Sequence, residues 1–159
     1  GDARSDGGTS QRVLANLLTW MAEKRSAVFV VATANGIDRM PGELLRKGRF
    51  DEIFLLDLPT LQERFKILEL HLKQRRPNLD LPIETVASRT EGFSGAELEQ
   101  TVIEAMHLAF SERRELLETD LILASTQLIP LSKTAKEQLD FLKEWSTSGR
   151  ARPASLKIN

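Results

Sequence analysis

At 159 residues with 41% hydrophobic side chains, the chain can bury one core or two small ones. Its 22 Lys and Arg against 23 Asp and Glu give no global field favouring nucleic acid or anionic lipid. The absence of cysteine excludes disulfides and thiolate metal sites, two histidines far apart in sequence make no dedicated zinc site, and no apolar run is long enough to span a bilayer.

Residues 1–9 (GDARSDGGT) are small and polar, a composition expected of a mobile loop. Thr9 or Ser10 can cap a helix whose apolar positions Val13, Leu14, Leu17, Leu18 and Met21 recur at helical spacing, and Glu23-Lys24-Arg25-Ser26 ends it. Val28-Phe29-Val30-Val31 is a continuous β-branched and aromatic run, which predicts a strand buried on both faces. It passes into the small and polar Ala32-Thr33-Ala34-Asn35. Pro41 suits the first turn of a short helix over Gly42-Glu43-Leu44-Leu45. Arg46-Lys47-Gly48-Arg49 then sets three cations in four positions, and 53–57 (IFLLD) reads as a second apolar strand closed by Pro59. Taken alone, the basic corner is a solvated turn and Asn35 a strand-end cap. A planar guanidinium matches an anionic oxygen group better than an ammonium does, which favours the arginines over Lys47 wherever this corner meets one.

Beyond Pro59 the pattern is helical. Thr60-x-x-Glu63 is a capping box, and Leu61, Phe65, Leu68 and Leu72 form one apolar stripe with His71 beside it. Lys73-Gln74-Arg75-Arg76 reads as a solvated helix end, favoured by the helix dipole, that stops before Pro77. Leu81-Pro82 opens a brief helix with Ile83, Val86 and Ala87 inward. Ser94-x-x-Glu97 is a second capping box, starting a long helix with Leu98, Val102, Ala105, Met106 and Ala109 on one side. Helix-start chemistry explains Ser94 and Glu97 but leaves the preceding Gly92-Phe93 without a role. Arg113-Arg114 sits in an exposed, mixed-charge helix end; Thr119 caps a helix running to Leu128; Ser132 begins a last one with Ala135, Leu139, Leu142 and Trp145. The tail from Ser146 has no periodicity and is expected to be flexible or lightly docked.

Two blocks carry a resemblance. Asn35 at the end of a buried strand, followed by Leu44-Leu45-Arg46-Lys47-Gly48-Arg49-Phe50-Asp51, resembles the second region of homology of AAA ATPases, in the clade that includes FtsH, katanin, spastin and the proteasomal ATPases. Gly92-Phe93-Ser94-Gly95-Ala96-Glu97-Leu98 resembles the sensor 2 region of the same clade. The resemblance implies that Asn35 is sensor 1, orienting the water that attacks the γ-phosphate. It makes Arg46 and Arg49 trans-acting arginines that reach a neighbouring subunit's γ-phosphate. His71, in Arg64-x-x-Ile67-Leu68-x-x-His71, would pack by the ribose and base, and the small Gly95-Ala96 pair would let the nucleotide approach the helix start. The loop before the first helix would be a pore loop, with Asp2, Arg4, Asp6 and Gly7 as its residues. The tail and Ile129-Pro130-Leu131-Ser132 resemble an AAA subgroup of cyanobacteria and plastid genomes.

The implied fold is an α/β remnant over 1–58, with two parallel strands from the phosphate-loop core, followed by an all-α four-helix lid over 59–146 and a tail over 147–159. The sequence contains no Gly-x-x-x-x-Gly-Lys-[Ser/Thr] and no apolar strand ending in an acidic pair, so this chain alone is expected neither to hydrolyse ATP nor to bind it tightly. In the family the phosphate-loop strand lies between the two strands present here, which predicts a gap or a non-native closure and low stability in this half. ATP with Mg²⁺, neighbouring AAA subunits in a homo-hexamer, an unspecified protein substrate and a cytoplasmic or plastid-stromal location are implied for the longer protein, with no metal site in these residues and no membrane partner. The alternative is a non-catalytic module that docks onto AAA rings. A nucleic-acid role through residues 73–76 and the tail is disfavoured by the balanced charge.

Overall fold

The computed structural model describes residues 5–34, 36–37, 40, 42–45 and 49–155. The chain divides into two units, 1–53 and 54–159.

In the first unit, helix α1 spans Ser5–Glu23, so the helix begins earlier than the cap at Thr9 or Ser10 predicted, and Asp6 and Gly7 lie inside it rather than in a loop. Val13 is well exposed, and Leu17 and Trp20 are more than a third exposed. The Lys24 ammonium stands 4.1 Å from the Trp20 ring centroid, an intra-unit cation–π contact. The strand expected over 28–31 is absent: residues 28–34 are irregular, and Phe29 is 93% exposed. The reason is physical. A strand is held by its ladder, and a β-branched run without a paired neighbour has nothing to bond. Residues 42–45 form a single turn, closed by the Leu45 amide on the Gly42 carbonyl at 3.2 Å, rather than a helix; Leu44 is its buried residue.

The second unit holds the core. Strand β1 (Phe54–Leu55) is followed by α2 (Leu61–Arg75), α3 (Glu84–Arg89), α4 (Gly95–Ser111), α5 (Glu118–Gln127), α6 (Leu131–Thr134) and α7 (Lys136–Trp145). Among the described residues six helical segments make up the expected all-α part; α3 and α6 are short, and Ala135 (φ −125°) splits the predicted last helix in two. After α7 come a π-helical turn (Ser146–Arg150) and strand β2 (Arg152–Pro153). Both capping boxes are formed: Thr60 with Glu63 starts α2 and Ser94 with Glu97 starts α4. The periodic apolar positions do what their spacing dictates. Leu68 and Leu72 of α2, Val86 and Ala87 of α3, Leu98, Val102, Ala105 and Ala109 of α4, and Leu121 and Ala124 of α5 bury together with Ile83, Phe93 and Leu116. Helix α4 is central, packed on α2 and α5, with α3 against α2 and α5.

The cap of α5 is not the predicted Thr119. The cap is Leu117, two residues earlier, and the Leu117 amide donates to Asp120 Oδ2 at 2.9 Å. Asp120 is buried and takes a two-pronged pair from Arg114, at 2.6 and 2.8 Å, so Arg114 belongs to a structural pair rather than to a merely exposed helix end. The hydrogen bonds from Arg114, then the Leu117 amide, hold the Asp120 carboxyl below its ordinary range against the opposing effect of burial.

The two parallel strands are β1 and β2, so β1 pairs with the tail. Phe54 faces Arg152 and Leu55 faces Pro153; the Ala154 amide donates to the Leu55 carbonyl at 2.9 Å, and Ser155 Oγ to Glu63 Oε1 at 2.8 Å. Pro153 fits there because an edge strand tolerates a missing donor.

Candidate functional site

Of the predicted site residues, Asn35 and Arg46 lie outside the described residues, as do Asp2, Arg4, Pro41, Lys47 and Gly48. Arg49 is half-buried in a turn of the first unit. His71, Gly95 and Ala96 are all in the second unit, His71 on α2 and Gly95 and Ala96 at the start of α4, the helix packed against it.

His71 sits in the last third of α2, where the apolar stripe turns toward α4, and its side chain is 17% exposed. Its Nδ1 lies 3.3 Å from Arg75 Nη1, one turn on, and 3.6 Å from Glu99 Oε1 of α4. Arg75 Nη2 in turn donates to Glu99 Oε1 at 2.6 Å. Glu99 is four residues after Gly95, so both lie on the same face of α4. The Arg75 hydrogen bond chiefly, with the Arg75 charge adding to it, holds the Glu99 carboxyl below its ordinary range. Gly95 is the first residue of α4, and a Cβ there would meet nothing within 4 Å. Ala96 is exposed. The seam therefore offers an open helix start, a half-buried imidazole and a paired cation. It lines neither the groove beside Thr60, Arg64 and Lys143 (about 580 Å³) nor the one beside Phe110 and Arg113 (about 680 Å³).

The Gly-Phe pair before the second capping box has a packing role. Gly92 adopts φ +81°, its carbonyl accepts from the Ser132 amide at 3.2 Å, and a Cβ on it would collide with the Ser132 side chain. Phe93 is buried in the core. Both residues are thus accounted for without a ligand, and the nucleotide reading of this block rests on Gly95 and Ala96.

Arg64, part of the motif around His71, is buried and structural. Its Nε donates to the Ala87 carbonyl at 2.9 Å and its Nη1 to the Pro59 carbonyl at 3.0 Å, tying α2 to the end of α3. The basic run after His71 is also less free than a solvated end: Lys73 pairs with Glu69, Arg75 with Glu99 and Arg76 with Glu115. Sequence reasoning missed Arg75 and Glu99 as partners of His71. The i, i+4 spacing of His71 and Arg75 was a usable signal; Glu99, on another helix, gave none.

Helices packed around α4 with this capped start, downstream of the 44–51 block, define the C-terminal part of an AAA module. Residues 1–58 match the family profile "ATPase family associated with various cellular activities (AAA)", and residues 80–124 match "AAA+ lid domain". The chain belongs to the AAA family. It is 50% identical over 158 residues to "Uncharacterized AAA domain-containing protein ycf46" of Trieres chinensis, covering 98% of this chain and 32% of that protein. It is 36% identical over 94 residues to "ATP-dependent zinc metalloprotease FtsH" of Mesomycoplasma conjunctivae, covering 59% of this chain and 12% of that protein. Among solved structures, "Crystal structure of FIGL-1 AAA domain" superposes with a TM-score of 0.55 at 23% identity, over 63% of this chain and 37% of that one, a likeness of fold. The chain thus spans about a third of the length of the ycf46 relative. Among the described residues no helix is long and apolar enough to cross a membrane.

Proposed function

We propose that this chain serves, within a longer protein, as the part of an AAA ATPase that senses and clamps nucleotide at a subunit boundary of a ring. Asn35 acts as sensor 1 on the water attacking the γ-phosphate of its own subunit's ATP. Arg46 and Arg49 act on the γ-phosphate of the neighbouring subunit's ATP. His71, Gly95 and Ala96 contact the ribose and base. The observation that carries the reading is the order and spacing of the two motif blocks, with AAA and AAA+ lid profiles matching the segments that contain them.

The residues present suit a nucleotide at the seam. Gly95 leaves room at the helix start, and His71 offers a ring nitrogen, Nε2, with no partner among the described residues. ATP, bound with Mg²⁺ by a phosphate loop that this sequence lacks, would supply the phosphoryl group. The residues of this chain orient water, place cations on developing charge and exclude solvent from the base. A site completed by a neighbour's arginines requires head-to-tail closure, hence a ring, a hexamer in our reading. Its work would be ATP-driven remodelling of a protein substrate, in the cytoplasm or a plastid stroma.

The test is Arg46→Ala in the assembled longer protein. ATP turnover should fall on the order of 10³-fold or more while nucleotide affinity stays within a few-fold. Unchanged hydrolysis would remove the trans-acting assignment.

A further inference from the structure

We propose that Arg75 is a positioning residue: with Glu99 it holds His71 in the Nε2–H tautomer, so that the imidazole presents a hydrogen-bond donor, not an acceptor, to whatever binds at the α2–α4 seam.

A guanidinium has five N–H donors and no lone pair, and a carboxylate has lone pairs and no proton. Nδ1 of His71 faces one of each. Arg75 Nη1, at 3.3 Å, can only donate, which requires a lone pair on Nδ1 and puts the proton of the neutral ring on Nε2. Glu99 Oε1, at 3.6 Å, can only accept, which would require the opposite tautomer.

Distance decides between them. The carboxylate lies beyond hydrogen-bond range of Nδ1, whereas the guanidinium lies within it. The same Glu99 oxygen is also already engaged by Arg75 Nη2 at 2.6 Å, a short charge-assisted bond. Arg75 Nη1 further donates to the His71 carbonyl at 3.3 Å, which seats the guanidinium over its own helix turn. Glu99 thus acts on the imidazole through Arg75: it anchors the cation that fixes the tautomer. The outward Nε2–H has no partner among the described residues.

This inference rests on the reading that the seam contacts a nucleotide, and adds what kind of atom it selects there. The Nε2–H is matched by a lone pair: a ribose oxygen or an unprotonated purine ring nitrogen. A base edge presenting an N–H at that point would be refused.

The two claims separate experimentally. The tautomer is read directly from two-bond ¹⁵N–¹H correlations of the His71 ring in this 159-residue chain near neutral pH, with no nucleotide present. The expected pattern is Nε2–H. Arg75→Met removes the donor and leaves Glu99 as the group facing Nδ1, so the ring should switch to Nδ1–H; Glu99→Gln keeps Arg75 and should retain Nε2–H. An Nδ1–H pattern in the unsubstituted chain overturns the proposal whatever binds at the seam. ADP titrated into the longer, phosphate-loop-containing protein then tests the ligand. Arg75→Met should weaken ADP on the order of tenfold, the value of one such hydrogen bond, and Glu99→Gln much less. A tautomer that switches as expected with unchanged ADP affinity would leave the positioning role standing and overturn the nucleotide reading of the seam.

Discussion

Gly92→Ala isolates the clearest conformational demand in the helical unit. Gly92 holds φ +81°, and a left-handed conformation costs an L-residue with a Cβ about 1–2 kcal/mol. The new Cβ would also lie 2.9 Å from Ser132 Cβ and closer still to its hydroxyl. Ser132 cannot easily withdraw, because it opens α6 and its amide is bonded to the Gly92 carbonyl. Such overpacking costs about 1–3 kcal/mol, so the substitution should destabilise the unit by roughly 2–5 kcal/mol. Urea unfolding followed by circular dichroism at 222 nm measures the loss, and thermal scans should show a fall of about 10–20 °C for a domain of this size. Repeating Gly92→Ala in a Ser132→Gly background removes the colliding atoms. Only the backbone part, about 1–2 kcal/mol, should then remain. A variant as stable as the parent, or a penalty unchanged by Ser132→Gly, would refute the reasoning.

Two further outcomes follow from the same unit. Asp120, Glu63 and Glu99 all have carboxyls held below their ordinary range, the first and third chiefly by arginine hydrogen bonds and Glu63 by the Thr60 amide. A depressed folded-state pKa gives stability that is present above the unfolded value, about 4, and lost as pH falls through the folded one. Unfolding free energy should therefore be flat from pH 8 to about 5 and drop below about 4, and Asp120→Asn should lower it at pH 7 with a gap that narrows in acid. Arg64→Met removes a buried cation bonded to two carbonyls and should cost about 2–3 kcal/mol in urea unfolding. Arg64→Lys should restore only part of it, since an ammonium lacks the fork that reaches both acceptors.

What could be read from the sequence was local. Thr60 with Glu63 and Ser94 with Glu97 are three residues apart, so their capping boxes are written in the chain, and the stripes of α2 and α4 follow from a period of 3.6. What could not be read depended on distant partners. Residues 28–31 have the composition of a strand but find no ladder, while the tail, without periodicity, pairs with β1 through backbone groups that carry no sequence signal. Thr119 is a good cap by type, but the cap falls at Leu117, whose amide is held by Asp120, itself fixed by Arg114 from outside the helix. Gly92 needed Ser132, forty positions away, before its role was visible. Motif spacing singled out His71 and Gly95, whereas the Glu99 end of the His71–Arg75–Glu99 cluster is a product of packing between α2 and α4.

The central claim, that this part of the chain serves two different active sites at once, is tested most directly by mixing two inactive subunits. In the proposed reading Asn35→Ala should damage the site of its own subunit, and Arg46→Ala the site of its neighbour. Each homogeneous ring of the longer protein should be nearly inactive. In an equal, random mixture about a quarter of the interfaces join an intact Asn35 to an intact Arg46 from the next subunit, so ATP turnover should return to roughly a quarter of the parent level. A mixture no more active than the separate variants would contradict the account, because it would mean that both residues act within the same subunit's site.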